Sequence, residues 1–183
     1  MRPAFTAVIV LLTGVVCGGK TGRQKPAAAA TVAAFPAVAC STLTDAEVTQ
    51  FSKILPTFHA ALKAGNWQPA QPKPGTGPVD ALATLVEGMN VPGVEESLKA
   101  AGSDWGRFRA TLYKVFAASA ARSVEALGSD RVEQMKQDTT QSGKRMFESF
   151  QAIKGACSAL PAANIEVVSN HQQDLQELGV LGR

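Results

Sequence analysis

The residues Gly14–Thr21, with the sequence GVVCGGKT, have the side-chain types and spacing of a phosphate-binding loop, G-x-x-x-x-G-K-T. In such a loop the backbone N–H groups surround the phosphates of a nucleotide, the lysine reaches the outer phosphates, and the hydroxyl binds magnesium. The motif would give the chain a nucleotide site that uses Lys20 and Thr21. A P-loop-type nucleotide-binding enzyme is therefore one hypothesis for its function.

The residues around this motif lack the pattern that a nucleotide site needs. A helix has to begin near Lys20, but Gly22 and Pro26 lie in what would be its first turns, and proline breaks the interior of a helix. A parallel sheet has to hold the loop, and such sheets are built from several apolar β-branched runs. After residue 40 the β-branched residues cluster at 165–168, in a segment with helical spacing. The context therefore disfavours nucleotide binding, which stays the alternative.

The same N-terminal residues also have the order of an export signal. Arg2 is a basic start, residues 4–16 carry no charge, and Cys17 follows directly. This apolar run suits an export signal and is shorter than the roughly 20 residues of a membrane-spanning helix. Residues 1–19 resemble a bacterial lipoprotein signal, and the resemblance implies that Cys17 carries the lipid and becomes the first residue of the mature protein.

A second candidate for processing lies downstream. Residues 37–39, directly before Cys40, are Ala-Val-Ala, and their small side chains fit both a lipoprotein cleavage site and an A-x-A cleavage site. Three cations precede the alanine-rich run that leads to this position. Processing at Cys17 and processing at Cys40 therefore stay open as alternatives.

The leader predicts three parts of the chain and a location. Residues 1–16 are a signal peptide, residues 17–39 contain the lipidation site and a flexible linker, and residues 40–183 form a single helical domain. We expect the protein in the cell envelope, anchored to a membrane through its lipid, with a secreted protein as the second choice. A periplasmic and a surface-exposed position are both compatible with such an anchor.

Three cysteines occur in the chain. If Cys17 carries lipid, Cys40 and Cys157 remain as an even pair in an oxidising compartment, where disulfides form and persist. The sequence predicts a disulfide between Cys40 and Cys157, which would tie the start of the domain to a late helix. Two free thiols are the alternative, and lipidation of Cys40 would leave Cys157 alone.

The formal charge of +3 does not indicate an acidic partner. Four of the 18 basic residues precede residue 40 and all 15 acidic residues follow it, which leaves 14 basic and 15 acidic residues in the domain. The domain therefore exerts no net attraction on nucleic acid, and basic residues with interleaved aromatics do not cluster. We expect no nucleic-acid partner.

The periodicity after residue 40 predicts helices. Thr44 and Glu47 have the spacing of a capping box, and Leu43 and Val48 bracket them as a hydrophobic staple. An apolar stripe at three-to-four spacing follows, and Gly65 suits the end of this helix. Short helices are expected near residues 80–87 and 94–101, then long helices over about 105–127 and 130–155, and a last one over about 162–178. The fold class is all-α, a compact bundle of four main helices and two short ones.

The middle of the helix expected over 130–155 is polar even where its inward face should lie, at Thr139, Ser142 and Gly143. Small and hydroxylated residues there would line a cavity or allow a close helix approach. A solvent-exposed bulge or a break in the helix is the simpler interpretation, and the sequence favours it.

Few residues have the pattern of a catalytic or metal site. Neither His59 nor His171 has a second ligand at metal-binding spacing on its helix, and Asp174 is placed to pair with His171. We therefore expect no catalytic residues, no metal and no cofactor. The predicted function is a non-catalytic binding protein, whose partner is an envelope protein or a hydrophobic ligand.

Overall fold

The structure is a computed structural model that describes residues 34–73 and 75–180. Within these ranges every regular element is helical, and no β-strand occurs. The all-α prediction is therefore confirmed, but the expected count of four main and two short helices is replaced by eight α-helices and one 3₁₀ turn. The 3₁₀ turn spans Ala37–Cys40, and the helices are α1 (Asp45–Ala64), α2 (Pro78–Glu87), α3 (Val94–Ala100), α4 (Trp105–Ala126), α5 (Ser129–Gln137), α6 (Gln141–Cys157), α7 (Ala162–Asn170) and α8 (Gln172–Glu177).

The start of α1 has the capping box that the sequence predicts. The Glu47 backbone N–H donates to Thr44 Oγ1 at 3.2 Å, and the Thr44 backbone N–H donates to Glu47 Oε2 at 2.8 Å. The helix then continues through Pro56 to Ala64, where the backbone N–H of Gly65 donates to the Ala61 carbonyl. Local hydrogen bonds therefore define both ends of this helix.

Helix α4 is the centre of the core. It packs against α1, α3, α6, α7 and the 3₁₀ turn, and about half of its residues are buried. Leu112 and Val115 are fully enclosed there, together with Leu55 and Phe58 of α1. Burial of apolar surface around α4 is accordingly the main source of stability in this fold.

The helix expected over 130–155 is broken between residues 137 and 141. After the break, α6 folds back and packs against α5. The chain leaves α5 at Asp138 and enters α6 after Thr140, whose Oγ1 accepts a hydrogen bond from the Gly143 backbone N–H at 3.0 Å. Asp138 Oδ1 in turn accepts hydrogen bonds from the backbone N–H and the hydroxyl of Thr140. The polar residues in this stretch thus form a turn and a helix cap, as the simpler interpretation predicted.

The turn requires a glycine at position 143. A Cβ atom there would overlap the Asp138 side chain, so we expect Gly143→Ala to open the α5–α6 turn and to lower the free energy of unfolding by about 1–3 kcal/mol. Native-state hydrogen exchange should show faster exchange of the α5 amides, and urea unfolding should give the loss in stability. Gly155→Ala, at an exposed position of α6, is the control and should be neutral or stabilising because alanine favours helix. Unchanged α5 exchange in Gly143→Ala would contradict the prediction.

The helix expected over 162–178 is also divided. Helix α7 ends at Asn170 and α8 begins at Gln172, with His171 between them in a non-helical conformation. The backbone N–H of Leu175 donates to the carbonyl of His171, so α8 begins directly after this residue. The division places His171 at a junction between helices.

Residues 34–44, which we call the strap, cross the core before α1 begins. Phe35 and Ala39 are only 6 % and 0 % exposed and belong to the main hydrophobic core. The predicted linker therefore does not extend to residue 39, because its last residues pack as part of the domain. Cys17 and the Gly14–Thr21 motif lie outside the described residues. Among the helices that are described, none is long and apolar enough to span a membrane.

Candidate functional site

A groove of about 310 Å³ lies between α1 and α4. Its buried side is apolar and consists of Phe51, Ile54 and Phe108. Polar side chains, among them Glu47 of α1 and Arg107 of α4, line most of the rest of the groove. The volume is at the lower end of what small-molecule sites usually have. We treat this groove as the candidate functional site.

Aromatic rings of α1 and α4 pack together at the base of the groove and behind it. The ring of Phe108 lies 5.0 Å from that of Phe51 and 4.3 Å from that of Phe58, measured between centroids. Trp105 continues the stack at 6.3 Å from Phe58. Because these rings pack from two helices at once, the apolar side of the groove is held rigidly.

The polar side of the groove contains a partly buried ion pair. Lys114, which is 8 % exposed, donates from Nζ to Glu47 Oε1 at 2.7 Å and to the Thr42 carbonyl at 2.8 Å. Burial alone would raise the pKa of Glu47, but hydrogen bonds from Lys114 and from the Thr44 backbone stabilise the carboxylate and bring the pKa below its usual value. Glu47 therefore stays ionised at neutral pH and serves to fix the strap.

Two further polar residues of the groove, Arg107 and Thr111, have partners within the protein. The Arg107 guanidinium lies 3.4 Å from the Asp104 carboxylate, which also caps α4 through the Arg107 backbone N–H. The Thr111 hydroxyl donates to the Arg107 carbonyl at 3.2 Å. The charges that line the groove are thus neutralised by neighbours, and the arrangement suits apolar contact with a ligand better than charge recognition.

The lowered pKa of Glu47 makes one contribution to stability pH-dependent. Because the carboxylate is favoured in the folded state, its contribution is complete above the ordinary pKa of about 4.5 and is lost as the pH falls through the lower, folded value. We expect the stability advantage of wild type over Glu47→Gln to be constant from pH 5 to 8 and to shrink below about pH 4.5. Urea titrations at several pH values would measure it, with Glu148→Gln at an exposed position of α6 as the control. An advantage that grew toward acid would contradict this assignment.

Cys40 and Cys157 both lie half-buried at the edge of the same hydrophobic core, and both are free thiols in the structure. Cys157 Sγ is 4.0 Å from the Ala117 carbonyl oxygen of α4, the helix on which the 3₁₀ turn with Cys40 also packs. Burial raises the pKa of Cys157 to about 11, and the neighbouring Cys40 and Glu125 add to this because nearby negative charge disfavours a thiolate. The two cysteines thus lie in one region of the core, and the predicted disulfide between them is not formed in the structure.

The two histidines lie in different surroundings, on α1 and at the junction between α7 and α8. His171 Nε2 is 3.1 Å from Asp45 Oδ1 and its Nδ1 is 3.7 Å from Asp174 Oδ2, so the expected Asp174 contact is present and Asp45 is an additional partner. Burial lowers the pKa of His59 on α1. Within residues 34–73 and 75–180, no group of three or more His, Cys, Asp or Glu side chains is placed to hold a metal ion.

A second pair of polar residues, Lys114 and Asn164, was not anticipated from the sequence, and we call it the polar clamp. Asn164 is 0 % exposed; its Oδ1 accepts from the Leu43 backbone N–H at 2.7 Å and its Nδ2 donates to the Ser41 carbonyl at 2.9 Å. Together with the Lys114 bond to Thr42, this gives one backbone group of each of three successive strap residues a hydrogen-bond partner. The sequence signal for the clamp is weak, since it consists of one polar residue on the inward face of each helix.

No protein-family model, curated protein or solved structure matched this chain. The role of the groove therefore has to follow from its own residues. Its apolar base, paired charges and partial enclosure are features that ligand-binding pockets share.

Proposed function

We propose that the chain is an exported, lipid-anchored, non-catalytic binding protein of the bacterial cell envelope, with the lipid on Cys17. The export part rests on Arg2, the uncharged residues 4–16 and the cysteine that follows them. Secretion without an anchor is the second choice. In either case the domain works outside the cytoplasm, where its two remaining cysteines are a candidate disulfide pair.

The observation that carries the binding role is the groove between α1 and α4. Its base is formed by Phe51, Ile54 and Phe108, while Glu47 and Arg107 are already paired within the protein. An uncharged apolar ligand can bury surface there without leaving a charge unpaired, whereas a charged ligand would have to compete with those partners. We therefore assign the groove to a small hydrophobic ligand. The alternative partner is an envelope protein, and the binding test below distinguishes the two.

The anchor is tested by fractionating bacterial cells that express the full chain. Wild type should sediment with the membranes and dissolve in detergent, and Cys17→Ser should lose this behaviour. The matched control is Cys157→Ser, which leaves the leader intact and should stay with the membranes. Recovery of both wild type and Cys17→Ser from the cytosol would disprove export and anchoring together.

The groove is tested by titrating the purified protein with N-phenyl-1-naphthylamine, a neutral apolar fluorophore. We expect saturable binding with one site per chain and at least tenfold weaker binding to Gln50→Trp, in which an indole at the exposed edge of the groove fills the space. Gln134→Trp, at an exposed position of α5, is the control and should bind like wild type. Equal binding to both variants would show that the groove is not the site, and absence of saturable binding to wild type would favour a protein partner.

The alternative function is a nucleotide enzyme that uses Gly14–Thr21, and it predicts magnesium-dependent nucleotide binding, which our proposal does not. Such a loop needs a parallel sheet beneath it, and the described residues contain helices only. Full-length wild type should bind neither ATP nor GTP in the presence of magnesium under our proposal. Magnesium-dependent binding that is lost in Lys20→Ala would establish the alternative.

A further inference from the structure

We infer that Cys40 belongs to the folded domain of the mature protein and forms a disulfide with Cys157, so that signal processing takes place upstream of the strap. This inference rests on the proposed export and lipid anchoring. It decides between Cys17 and Cys40 as the processed residue, which the sequence leaves open.

Cleavage before Cys40 would remove part of the core. Phe35 and Ala39 are buried against the other helices, and the 3₁₀ turn that contains Ala39 packs along α4. A mature chain that began at Cys40 would lack both side chains and most of the turn. The apolar surface that they cover would then be exposed to water. Cleavage before Cys17 leaves all of these contacts in place.

Cys40 is also held in a position that does not suit a lipid anchor. On its C-terminal side, Asn164 Nδ2 donates to the Ser41 carbonyl and Lys114 Nζ donates to the Thr42 carbonyl. The Ser41 backbone N–H donates back to the Val38 carbonyl at 3.2 Å, which closes the turn around Cys40. Acyl chains on this residue would emerge directly from the packed edge of the core, with no spacer between the membrane and the domain.

The packing that fixes Cys40 also brings it toward Cys157. The 3₁₀ turn and α6 both pack on α4, and Cys157 at the end of α6 lies 4.0 Å from the Ala117 carbonyl of that helix. Both cysteines pack against the same core cluster. The effect of Cys40 on the pKa of Cys157 agrees with this proximity. A bond between the two sulfurs would fasten the strap to the far end of α6.

The reaction needs an oxidant from the compartment. Each thiol gives up its proton and one electron, and the S–S bond forms between Cys40 and Cys157. The two electrons and two protons reduce a disulfide-bearing thiol oxidoreductase of the envelope to its dithiol. In the structure Cys40 and Cys157 are both free thiols.

The test uses the full chain, expressed in a bacterial envelope with a labelled fatty acid and isolated without reductant. We expect the label in wild type, Cys40→Ser and Cys157→Ser, and its loss in Cys17→Ser. In denatured wild type, maleimide should modify neither Cys40 nor Cys157 until a reductant is added. In Cys157→Ser, which leaves the strap residues unchanged, Cys40 should become reactive without reductant.

The outcomes separate the inference from the function on which it rests. Label that is lost in Cys40→Ser and kept in Cys17→Ser would overturn the inference while leaving lipid anchoring intact. Maleimide modification of both thiols in unreduced wild type would overturn the disulfide. Absence of label from all four proteins would disprove the lipid anchor itself. If Cys40→Ser fails to accumulate, the intact mass of the wild-type protein identifies the processed residue. A mass that corresponds to a chain beginning at Cys17 supports the inference, and one that corresponds to a chain beginning at Cys40 overturns it.

Discussion

Replacing Phe58 with alanine is expected to lower the free energy of unfolding by about 3–5 kcal/mol. Phe58 is 0 % exposed, and its ring lies 4.3 Å from that of Phe108 and 6.3 Å from that of Trp105. Alanine would leave a cavity where α1 and α4 meet, and the aromatic base of the groove would lose its support. Because domains are stable by only about 5–15 kcal/mol, this single change removes a large part of the total. Urea unfolding followed by circular dichroism measures it.

Two variants show whether burial at this position is the cause. Phe147→Ala removes the same ring from a half-buried position on α6 and should cost clearly less. Phe58→Leu keeps most of the volume and should fall between wild type and Phe58→Ala. Equal losses for Phe58→Ala and Phe147→Ala would mean that the α1–α4 contact is not the centre of the core.

The second large effect is expected for Asn164→Ala, with a loss of about 2–4 kcal/mol. Alanine leaves the buried Leu43 backbone N–H without its acceptor, and that group has no access to water in exchange. The Ser41 carbonyl loses its donor as well, but Ser41 is exposed, so solvent replaces part of that bond. The strap should therefore detach before the rest of the domain unfolds, which hydrogen exchange at Leu43 would detect.

Controls for this prediction lie on the same helix and at the same site. Asn170→Ala, at the exposed end of α7, should change stability by no more than about 0.5 kcal/mol. Asn164→Asp keeps the acceptor for Leu43 but loses the donor to Ser41, and it places an ionisable group in a fully buried position. We expect this variant to gain stability relative to wild type as the pH falls, since a protonated carboxyl can donate to Ser41. Wild-type stability in Asn164→Ala would show that the clamp is dispensable.

Local signals explain the parts of the fold that the sequence predicted. The capping box of Thr44 and Glu47 forms because its partners are three residues apart, and Gly65 ends α1 through a bond to Ala61 in the same helix. The central helix α4 follows from the apolar residues Phe108, Leu112 and Val115, which recur at three-to-four spacing. Such features depend on neighbours within one or two turns, so that spacing alone identifies them.

The breaks and the clamp depend on distant contacts or on competing local ones. Thr139 and Ser142 have the spacing of an inward face, but Thr140 caps a new helix and allows α5 to turn back on α6. Lys114 and Asn164 are polar residues on inward faces, and their partners lie 72 and 121 positions away in the chain. The periodicity of one helix carries no information about a partner at that separation. The clamp could therefore be identified only from the structure.

The hydrogen bond from Leu43 to Asn164 also determines when folding can finish. A ribosome makes the chain from its N-terminus, so α1 and the strap emerge long before the residue that fastens them, 121 positions later. Contacts of such separation form slowly because a long loop must close first. The N-terminal part of the core thus stays incomplete until α7 has been synthesised.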